Sequence, residues 1–379
     1  MERIYLDHAA TSPVHPEVVK AMMPYYEDQF GNPSSIHSFG REARRGLDES
    51  REYIARKIGA SFEDIIFTSG GTEADNLAII GYAVANQEKG KHLITTKIEH
   101  HGVLHAFEHL EKLGFLVTYI DVDESGRVTP SSIINALKED TILVSCMFGN
   151  NEVGTVQPIK EIGELLKPHQ AVFHTDAVQA FGLIPIDVRE LGVDFLAVSA
   201  HKINGPKGIG FLYANSKQRI SPLFFGGEQE RKRRAGTENV AGVVGLKRAM
   251  EIAYDQLEEK RAMYEEFQRI LIHTFQDNKL DFQINGHREA YLPHILNISF
   301  PGMNVESILM NLDIEGIAVS SGSACTAGSI DPSHVLTAMF DDKNRSHSAV
   351  RFSFGYGLTE EMIKKAAEKT VDVIRRLTK

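Results

Sequence analysis

The sequence is poor in cysteine and has no long apolar run. Its 379 residues include two cysteines, Cys146 and Cys325. Two are too few for a disulfide framework, and they suit a reducing compartment. No stretch of about 18 apolar residues occurs, which excludes a helix that spans a membrane. No charged-then-apolar leader precedes the strand-like residues 4–6, so we expect a cytoplasmic location and no membrane partner.

The sequence also has fewer basic residues than acidic residues. The 41 Lys and Arg residues are outnumbered by 51 Asp and Glu residues, which leaves a formal net charge of −10. That balance disfavours a broad basic face, so we expect no direct nucleic-acid partner. An apolar fraction of 42% and a charged fraction of 24% are typical of soluble globular proteins.

From about residue 50 to residue 215, short apolar strands alternate with helical patterns. This alternation predicts an α/β fold with a mainly parallel sheet that is covered by helices on both faces. A proline-free pattern from about 240 to 275 predicts one long helix or two in succession, and a smaller α+β unit follows it. Because a chain of this length exceeds a single hydrophobic core, we predict a large domain over 15–257 and a small domain formed by 1–14 and 258–379.

The strongest chemical signal is the SAHK segment at 199–202. Lys202 follows the apolar run 193–198, where a lysine packs poorly. Burial lowers the pKa of an amine, and a neutral amine can capture an aldehyde as a Schiff base. Asp176 ends another apolar strand, and the ring nitrogen of pyridoxal phosphate (PLP) needs such an anionic partner. Each residue alone is more often a solvated strand end, but together they predict a PLP site.

A glycine-rich turn at 69–72 lies between a predicted strand and a predicted helix. Its glycines, Gly71 among them, allow a phosphate to come close, and the first N–H groups of the helix favour an anion. A tight turn without a ligand explains the pattern equally well. The turn is neither a Walker A loop nor a dinucleotide-binding fingerprint.

The two cysteines lie in opposite surroundings. Small residues flank Cys325 throughout 319–329. They cannot bury enough apolar area to hold the segment in place, so we predict a mobile loop that carries a nucleophilic thiol. An inert small residue is the alternative. Cys146 lies in the apolar segment 143–148 and is predicted to be a buried strand residue.

Five motifs occur in one order along the chain: GNPSS at 31–35, TSGGTEADN at 68–76, DAVQ at 176–179, SAHK at 199–202 and SGSAC at 321–325. Together they resemble the cysteine desulfurases of the NifS/IscS family, which are fold-type I PLP enzymes similar to class V aminotransferases. The resemblance extends from Tyr5 to Ser353. It implies a fold-type I transferase with a seven-stranded sheet in the large domain, PLP as the cofactor and a homodimer.

The resemblance also implies roles for individual residues. The implied catalytic residues are Lys202, His100 and Cys325, with His100 stacked on the pyridine ring, and no metal is implied. The implied cofactor contacts are Gly71, Thr72, His100, Asn151, Asp176, Gln179, Ser199, His201, Lys202 and Thr237. Of these, Thr237 would reach the phosphate of the neighbouring subunit. The implied substrate contacts are Asn32, Asn151 and Arg351, whose guanidinium would pair with the α-carboxylate.

Two further patterns each admit two explanations. His101, His105 and His109 share one predicted helix face and could imitate a metal site, but a solvated face explains the spacing as well. The basic run RKRR at 231–234 suits an anion contact or an interface, whereas charge alone favours a solvated loop. Lys232 and Arg233 depart from the family pattern.

The reaction implied by the resemblance removes sulfur from free L-cysteine and leaves L-alanine and a persulfide on Cys325. The loop through His334 resembles the subgroup that delivers sulfur to a protein, either an iron–sulfur scaffold or a tRNA-thiolating enzyme. One alternative is another fold-type I PLP enzyme, such as an aminotransferase or a selenocysteine lyase, which would not need Cys325. The other is a non-enzymatic platform for sulfur-handling partners.

Overall fold

The computed structural model describes residues 3–321 and 333–378. The strands in this part of the chain are β1 (Ile4–Tyr5), β2 (Ile65–Thr68), β3 (His92–Thr96), β4 (Leu116–Ile120), β5 (Thr141–Ser145), β6 (Val172–Asp176), β7 (Phe195–Ser199), β8 (Gly210–Ala214), β9 (Gln283–Asn285), β10 (Ile295–Ser299), β11 (Ile317–Ala318) and β12 (Ala349–Ser353). The helices are α1 (Pro16–Met22), α2 (Pro24–Glu27), α3 (Ser38–Lys57), α4 (Gly71–Ala85), α5 (His101–Lys112), α6 (Pro130–Ala136), α7 (Ile159–Leu166), α8 (Val188–Leu191), α9 (Val240–Asp255), α10 (Leu257–Asp277), α11 (Val305–Ile314), α12 (His334–Met339), α13 (Lys343–Ser346) and α14 (Glu360–Leu377). Among these helices, none is both long enough and apolar enough to cross a bilayer.

A seven-stranded sheet with the order β2-β8-β7-β6-β5-β3-β4 forms the centre of the fold. β8 runs antiparallel to β2 and to β7, and the remaining neighbours are parallel. Every residue of β5, β6 and β7 is buried, as expected for parallel strands with helices on both faces. The predicted α/β fold with a mainly parallel sheet is confirmed, whereas the antiparallel β8 is not evident from the sequence pattern.

Successive residues of the central strands pack into different cores, because strand side chains alternate between the two faces. On one face Leu143 packs in a cluster with Phe107 and other residues of α4 and α5. On the other face Val144 packs in a cluster that includes Val243 of α9 and residues of α3 and α7. Both faces of the sheet are therefore covered.

A smaller antiparallel sheet, β12-β10-β9, has a separate hydrophobic cluster. α10 and α14 contribute Phe267, Phe275 and Ile363 to that cluster. The proline-free pattern forms two helices, since α9 ends at Asp255 and α10 begins at Leu257. β1 pairs with β11, which brings the start of the chain to this unit. On these grounds we propose the division into 15–257 and 1–14 with 258–379.

The sequence predicts Cys146 to be a buried strand residue. It lies just outside the strand, because β5 ends one residue earlier, at Ser145. The chain then leaves the ladder toward a bridge between Gly149 and Val156. The Cys146 side chain is nevertheless fully buried, and burial raises the pKa of its thiol. A buried thiol of this kind lacks the thiolate character of a nucleophile.

The parallel strands β2, β3, β5, β6 and β7 all end at one edge of the central sheet. Ligands of open α/β sheets bind at this edge, because the loops that follow the strands meet there. The chain after β1 reaches the smaller sheet through a bridge between Asp7 and Ser353. Loops of the central sheet, the start of the chain and β12 can therefore contribute to one site.

Candidate active site

A cavity of about 300 Å³ is formed by these loops. The predicted site residues that line it are Gly71, Thr72, His100, Asn151, Asp176, Gln179, Ser199, His201, Lys202 and Arg351. They are far apart in sequence, and the topology of the sheet brings them together. Their individual roles stay predictions.

Lys202 lies in the short 3₁₀ turn Ala200–Ile203 that follows β7. Its Nζ donates to the backbone oxygen of Ala9 at 2.5 Å and to that of Ala10 at 2.7 Å. The segment after β1 thus covers the amine, and the side chain is only partly exposed. A lysine that lines a concave cavity in this way can react with an aldehyde carried by a ligand.

Asp176 is the last residue of β6 and is almost fully buried. Its Oδ1 accepts the N–H of Val178 at 2.9 Å. Burial raises the pKa of this carboxyl to about 6, while the Val178 N–H and the positive charge of Lys202 oppose the rise. A buried carboxyl with one anchored oxygen fits the ring nitrogen of PLP, because a positive charge there would stabilise the anion.

Asp75, which the sequence reasoning missed, also lines the cavity. It is 1% exposed, and its Oδ1 lies 3.3 Å from Nε2 of the buried His174. Burial and the neighbouring Asp176 raise the pKa of Asp75 well above its usual value, and burial lowers the pKa of His174 to about 3. A proton between Asp75 and His174 is therefore favoured on Asp75. The available signal was its spacing, since Asp75 shares a helix face with Thr72 three residues earlier.

The start of α4 fits a phosphate. The N-cap of this helix makes no side-chain hydrogen bond, so the first N–H groups can serve a ligand. A Cβ at Gly71 would lie 2.7 Å from Cγ2 of Val178, so the close approach of the helix to this wall requires glycine. Thr72, Ser199 and His201 line the same cavity. Hydroxyl and imidazole groups beside a helix N-terminus form a donor set that suits a phosphate.

His100 is the N-cap of α5. Its Nδ1 accepts the N–H of Gly102 at 3.0 Å, so the neutral ring carries its proton on Nε2. Burial and the positive charge of Lys202 lower the pKa of His100 to about 4. The preceding Glu99 fixes the loop, because its Oε1 accepts the N–H of Met147 at 2.9 Å. His100 is thus a neutral ring with an N–H at a fixed place in the cavity wall.

Arg351 comes from β12 and is 2% exposed. Its Nη2 contacts Oδ1 of Asp7 at 2.8 Å, and its Nη1 donates to the backbone oxygen of Asn151 at 2.9 Å. Its Nε is buried and has no hydrogen-bond partner within residues 3–321 and 333–378. A buried guanidinium with an unused donor at a cavity wall suits a carboxylate ligand.

Asn32 and Thr237 lie outside the cavity of a single chain, and both are exposed. The loop before Thr237 contains three consecutive residues, 230–232, with left-handed φ angles of 46°, 55° and 65°. A buried ion pair between Arg51 and Glu230, at 2.7 Å, holds this loop. Such backbone strain persists only where the surroundings fix it.

The basic run at 231–234 makes contacts within the chain. Arg231 lies 3.6 Å from Glu63, and Arg234 lies 2.8 Å from Glu73 in the first turn of α4. These carboxylates balance part of the charge of the run. These contacts tie the basic run to the rest of the chain.

Cys325 lies outside the described residues, as do residues 322–329 of the predicted loop. The structure does describe both flanks. The backbones of Ser320 and Arg351 exchange hydrogen bonds of 2.6 and 3.3 Å, and the hydroxyl of Ser333 donates to Glu152. Both flanks therefore begin beside elements that border the cavity.

The three histidines of α5 do not form a single cluster. The ring of His101 lies 5.3 Å from that of His105 and 4.7 Å from that of His334, whereas His109 is exposed to solvent. In the part of the chain that the structure describes, no group of three or more His, Cys, Asp or Glu residues is arranged to hold a metal ion.

Comparisons with known proteins agree with this geometry. Residues 4–365 match the profile of the aminotransferase class-V family. The chain is 61% identical to the IscS 1 protein of Bacillus subtilis (strain 168) over 100% of both chains. It is 48% identical to the cysteine desulfurase IscS of Dictyoglomus turgidum, over 99% of this chain and 94% of that protein.

Solved structures are similar as well. A NifS-like protein superposes with a TM-score of 0.93 at 36% identity, over 99% of this chain and 100% of that one. SspA in complex with cysteine superposes with a TM-score of 0.83 at 37% identity, over 93% of this chain and 98% of that one.

The fold and the cavity define a fold-type I PLP-dependent enzyme. Within that class, the chain belongs to the NifS/IscS cysteine desulfurase family of class-V aminotransferase relatives. The family resemblance inferred from the motifs is confirmed, and with it PLP as the cofactor of the family.

Proposed function

We propose that this chain removes the sulfur of free L-cysteine and holds it as a persulfide on Cys325. The observation that carries the proposal is the presence of Lys202, Asp176 and Arg351 in one cavity. They offer an amine for covalent attachment of PLP, a carboxylate for its ring nitrogen and a guanidinium for an amino-acid carboxylate. When bound, PLP supplies an electron sink that stabilises negative charge at the substrate α-carbon.

The other residues that line the cavity would bind PLP and orient it. The start of α4 with Thr72, Ser199 and His201 would hold the phosphate. Asp176 would hold a proton at the ring nitrogen through its negative charge. Asn151 and Gln179 would contact the phenolic oxygen, and His100 would lie against the ring. Lys202 Nζ accepts the α-proton of the substrate as general base.

Cys325 completes the reaction. Its thiolate attacks the substrate sulfur, so that an S–S bond forms while the carbon–sulfur bond breaks. The carbon keeps the bonding electron pair and takes up a proton, which gives L-alanine and a persulfide without an external oxidant or reductant. Ser320 lies five residues before Cys325, and its backbone is hydrogen-bonded to that of Arg351. Five extended residues reach about 17 Å, so the thiol can enter a cavity that Arg351 lines.

The acceptor of the persulfide is proposed to be a protein, either an iron–sulfur scaffold or a tRNA-thiolating enzyme, in the cytoplasm.

The test of the reaction is incubation of the PLP-loaded protein with sulfur-labelled L-cysteine. The expected products are alanine and label on Cys325 in equal amounts. A keto acid in place of alanine would identify an aminotransferase, and a strong preference for selenocysteine would identify a lyase. Acceptors from a lysate should be trapped by the wild type and not by Cys325→Ser.

Arg351→Lys should weaken the binding of L-cysteine. Lysine supplies a point charge but not the planar pair of donors that matches a carboxylate. Since charged hydrogen bonds contribute about 1.5–3 kcal/mol, kcat/KM should fall about 10- to 100-fold, mainly through KM. The measurement is steady-state alanine release. Arg345→Lys is the matched control, because Arg345 contacts Asn285 outside the cavity. An unchanged KM in Arg351→Lys would contradict the assignment of the carboxylate site.

The active form is proposed to be a homodimer in which Thr237 of each chain reaches the phosphate site of the other. In support, Thr237 is exposed although a buried ion pair fixes its loop. Large apolar side chains are also uncovered in the single chain, including Ile36 at 91% and Phe225 at 89% exposure. A two-fold arrangement would cover such surfaces and build two equal sites.

Mixing two inactive variants should restore activity if sites are shared. In a mixed dimer of Lys202→Ala and Thr237→Asp, one site carries both changes and the other carries neither. Random association makes half of the dimers mixed, so about a quarter of wild-type activity should return. The measurement is alanine release after joint unfolding and refolding, with separately refolded variants as the control. No recovery, or a fully active monomer by light scattering, would rule out the shared site.

A further inference from the structure

A buried histidine next to the smaller sheet contacts the candidate active site behind Gln179. His294 directly precedes β10 and is 7% exposed. Its Nε2 lies 3.1 Å from Oε1 of Gln179. Gln179 itself is 6% exposed, lines the cavity, and donates through its Nε2 to the backbone oxygen of Ala9 at 2.9 Å. No role in the reaction proposed above uses His294.

The carbonyl of Ala9 decides the orientation of the Gln179 amide. A backbone oxygen accepts hydrogen bonds and cannot donate, so the amide nitrogen must face Ala9 and the amide oxygen must face His294. That oxygen needs a donor, and His294 therefore carries its proton on Nε2. In agreement, Nδ1 of His294 is buried and has no hydrogen-bond partner in the described part of the chain. An unprotonated ring nitrogen needs no acceptor.

Burial and the neighbouring positive charges keep the ring of His294 neutral. Burial is the main cause, and His8, Lys202 and Arg351 act in the same direction, so that the pKa of His294 is lowered to about 3. The ring therefore does not gain a second proton between pH 5 and 8. Its single N–H stays available to Gln179 throughout that range.

We propose that His294 is a positioning residue for the cofactor and that it acts through Gln179. His294 holds the amide oxygen and Ala9 holds one amide hydrogen, so the second N–H of Gln179 is the hydrogen left for a ligand in the cavity. The phenolic oxygen of PLP accepts such a donor. Without His294 the amide can turn its oxygen toward the cavity, where it would repel the phenolic oxygen. This inference rests on the proposed function, in which Gln179 contacts that oxygen.

The test is a double-mutant cycle on the PLP affinity of the apo protein, with His294→Leu, Gln179→Leu and the double variant. The loss of one neutral hydrogen bond predicts PLP binding about 3- to 10-fold weaker in each single variant. The double variant should bind no more weakly than Gln179→Leu, because His294 acts through that side chain. Losses that add, or an unaltered affinity in His294→Leu, would overturn the proposal.

Spectroscopy separates positioning from packing. A donor on the phenolic oxygen draws charge away from the protonated link to the lysine, so its loss should raise the pH at which the absorption of bound PLP changes. His294→Leu should show this shift, and His273→Leu, an exposed histidine of α10, should not. His294→Gln places an N–H at a similar distance from the backbone and should restore both the affinity and the wild-type pH profile. A variant His294→Leu with the wild-type profile would overturn the proposal.

If His294→Leu does not fold, the site of protonation on the His294 ring of the wild type tests the proposal. Nitrogen NMR of protein labelled at histidine should show one neutral ring protonated at Nε2 at pH 7 that is missing in His294→Gln. A ring protonated at Nδ1 would overturn the proposal. Failure of the proposed function would look different, because wild-type protein would then bind no PLP or release no alanine from L-cysteine, whatever residue stands at position 294.

Discussion

Lys202→Ala is expected to abolish covalent retention of PLP and to reduce alanine release from L-cysteine by at least about 1,000-fold. The variant lacks both the amine that attaches the cofactor and the general base, and a positioned base alone accounts for about 10²–10⁴ in rate. The donor set at the start of α4 and the Asp176 carboxyl remain. PLP should therefore still bind reversibly and be removed by dialysis.

Borohydride reduction followed by peptide mapping is the measurement. In the wild type the pyridoxyl group should be found on Lys202, and in Lys202→Ala on no lysine. Lys207→Ala is the matched control, because Lys207 is an exposed lysine five residues further along the chain. It should keep the label at Lys202. A pyridoxyl group on Lys207 of the wild type would refute the central assignment.

Cys325→Ser should keep bound, coloured PLP and still bind L-cysteine, since Lys202, Asp176 and Arg351 are unchanged. It should form no persulfide, and its turnover should fall at least about 100-fold, because a few per cent of a thiol is ionised near pH 7 and a hydroxyl is not. The measurement is the position of the label after incubation with sulfur-labelled L-cysteine, together with the rate of alanine release.

Cys146→Ser is the control for the thiol. Cys146 is fully buried, so its replacement should leave the label on Cys325 and cost about 1–3 kcal/mol in the free energy of unfolding for the buried hydroxyl. Label on Cys146, or undiminished turnover by Cys325→Ser, would show that the nucleophile is assigned wrongly.

The residues that the sequence indicates most directly are those at strand ends. Asp176 ends a mainly apolar strand and Lys202 follows another, so their chemical character stands out against buried neighbours. The alternation of strands and helices predicts the parallel sheet for the same reason, since the hydrophobic pattern is local. The order of the sheet then explains why such residues meet at one edge.

Other parts of the site depend on contacts that no local pattern contains. Asp75 and His174 form a buried pair only because α4 packs against β6. Gln179 follows a strand of the central sheet and His294 precedes a strand of the smaller sheet. These two residues are far apart in sequence and meet only in the folded chain. β8 could not be placed, because an antiparallel strand inside a parallel sheet has the same apolar pattern as its neighbours. The partner subunit that Thr237 is proposed to contact lies outside any single chain.

The order in which the chain is made has a consequence for when the site can exist. Asp7 contacts Arg351, 344 residues later, and Ala9 accepts from Lys202, 193 residues later. A nascent chain leaves the ribosome from its first residue, so residues 7–10 must stay without these contacts until β7 and then β12 have emerged. Contacts of such long sequence separation are slow to form. The cavity wall that Asp7 and Ala9 help to form can therefore be completed only after β12 has been made.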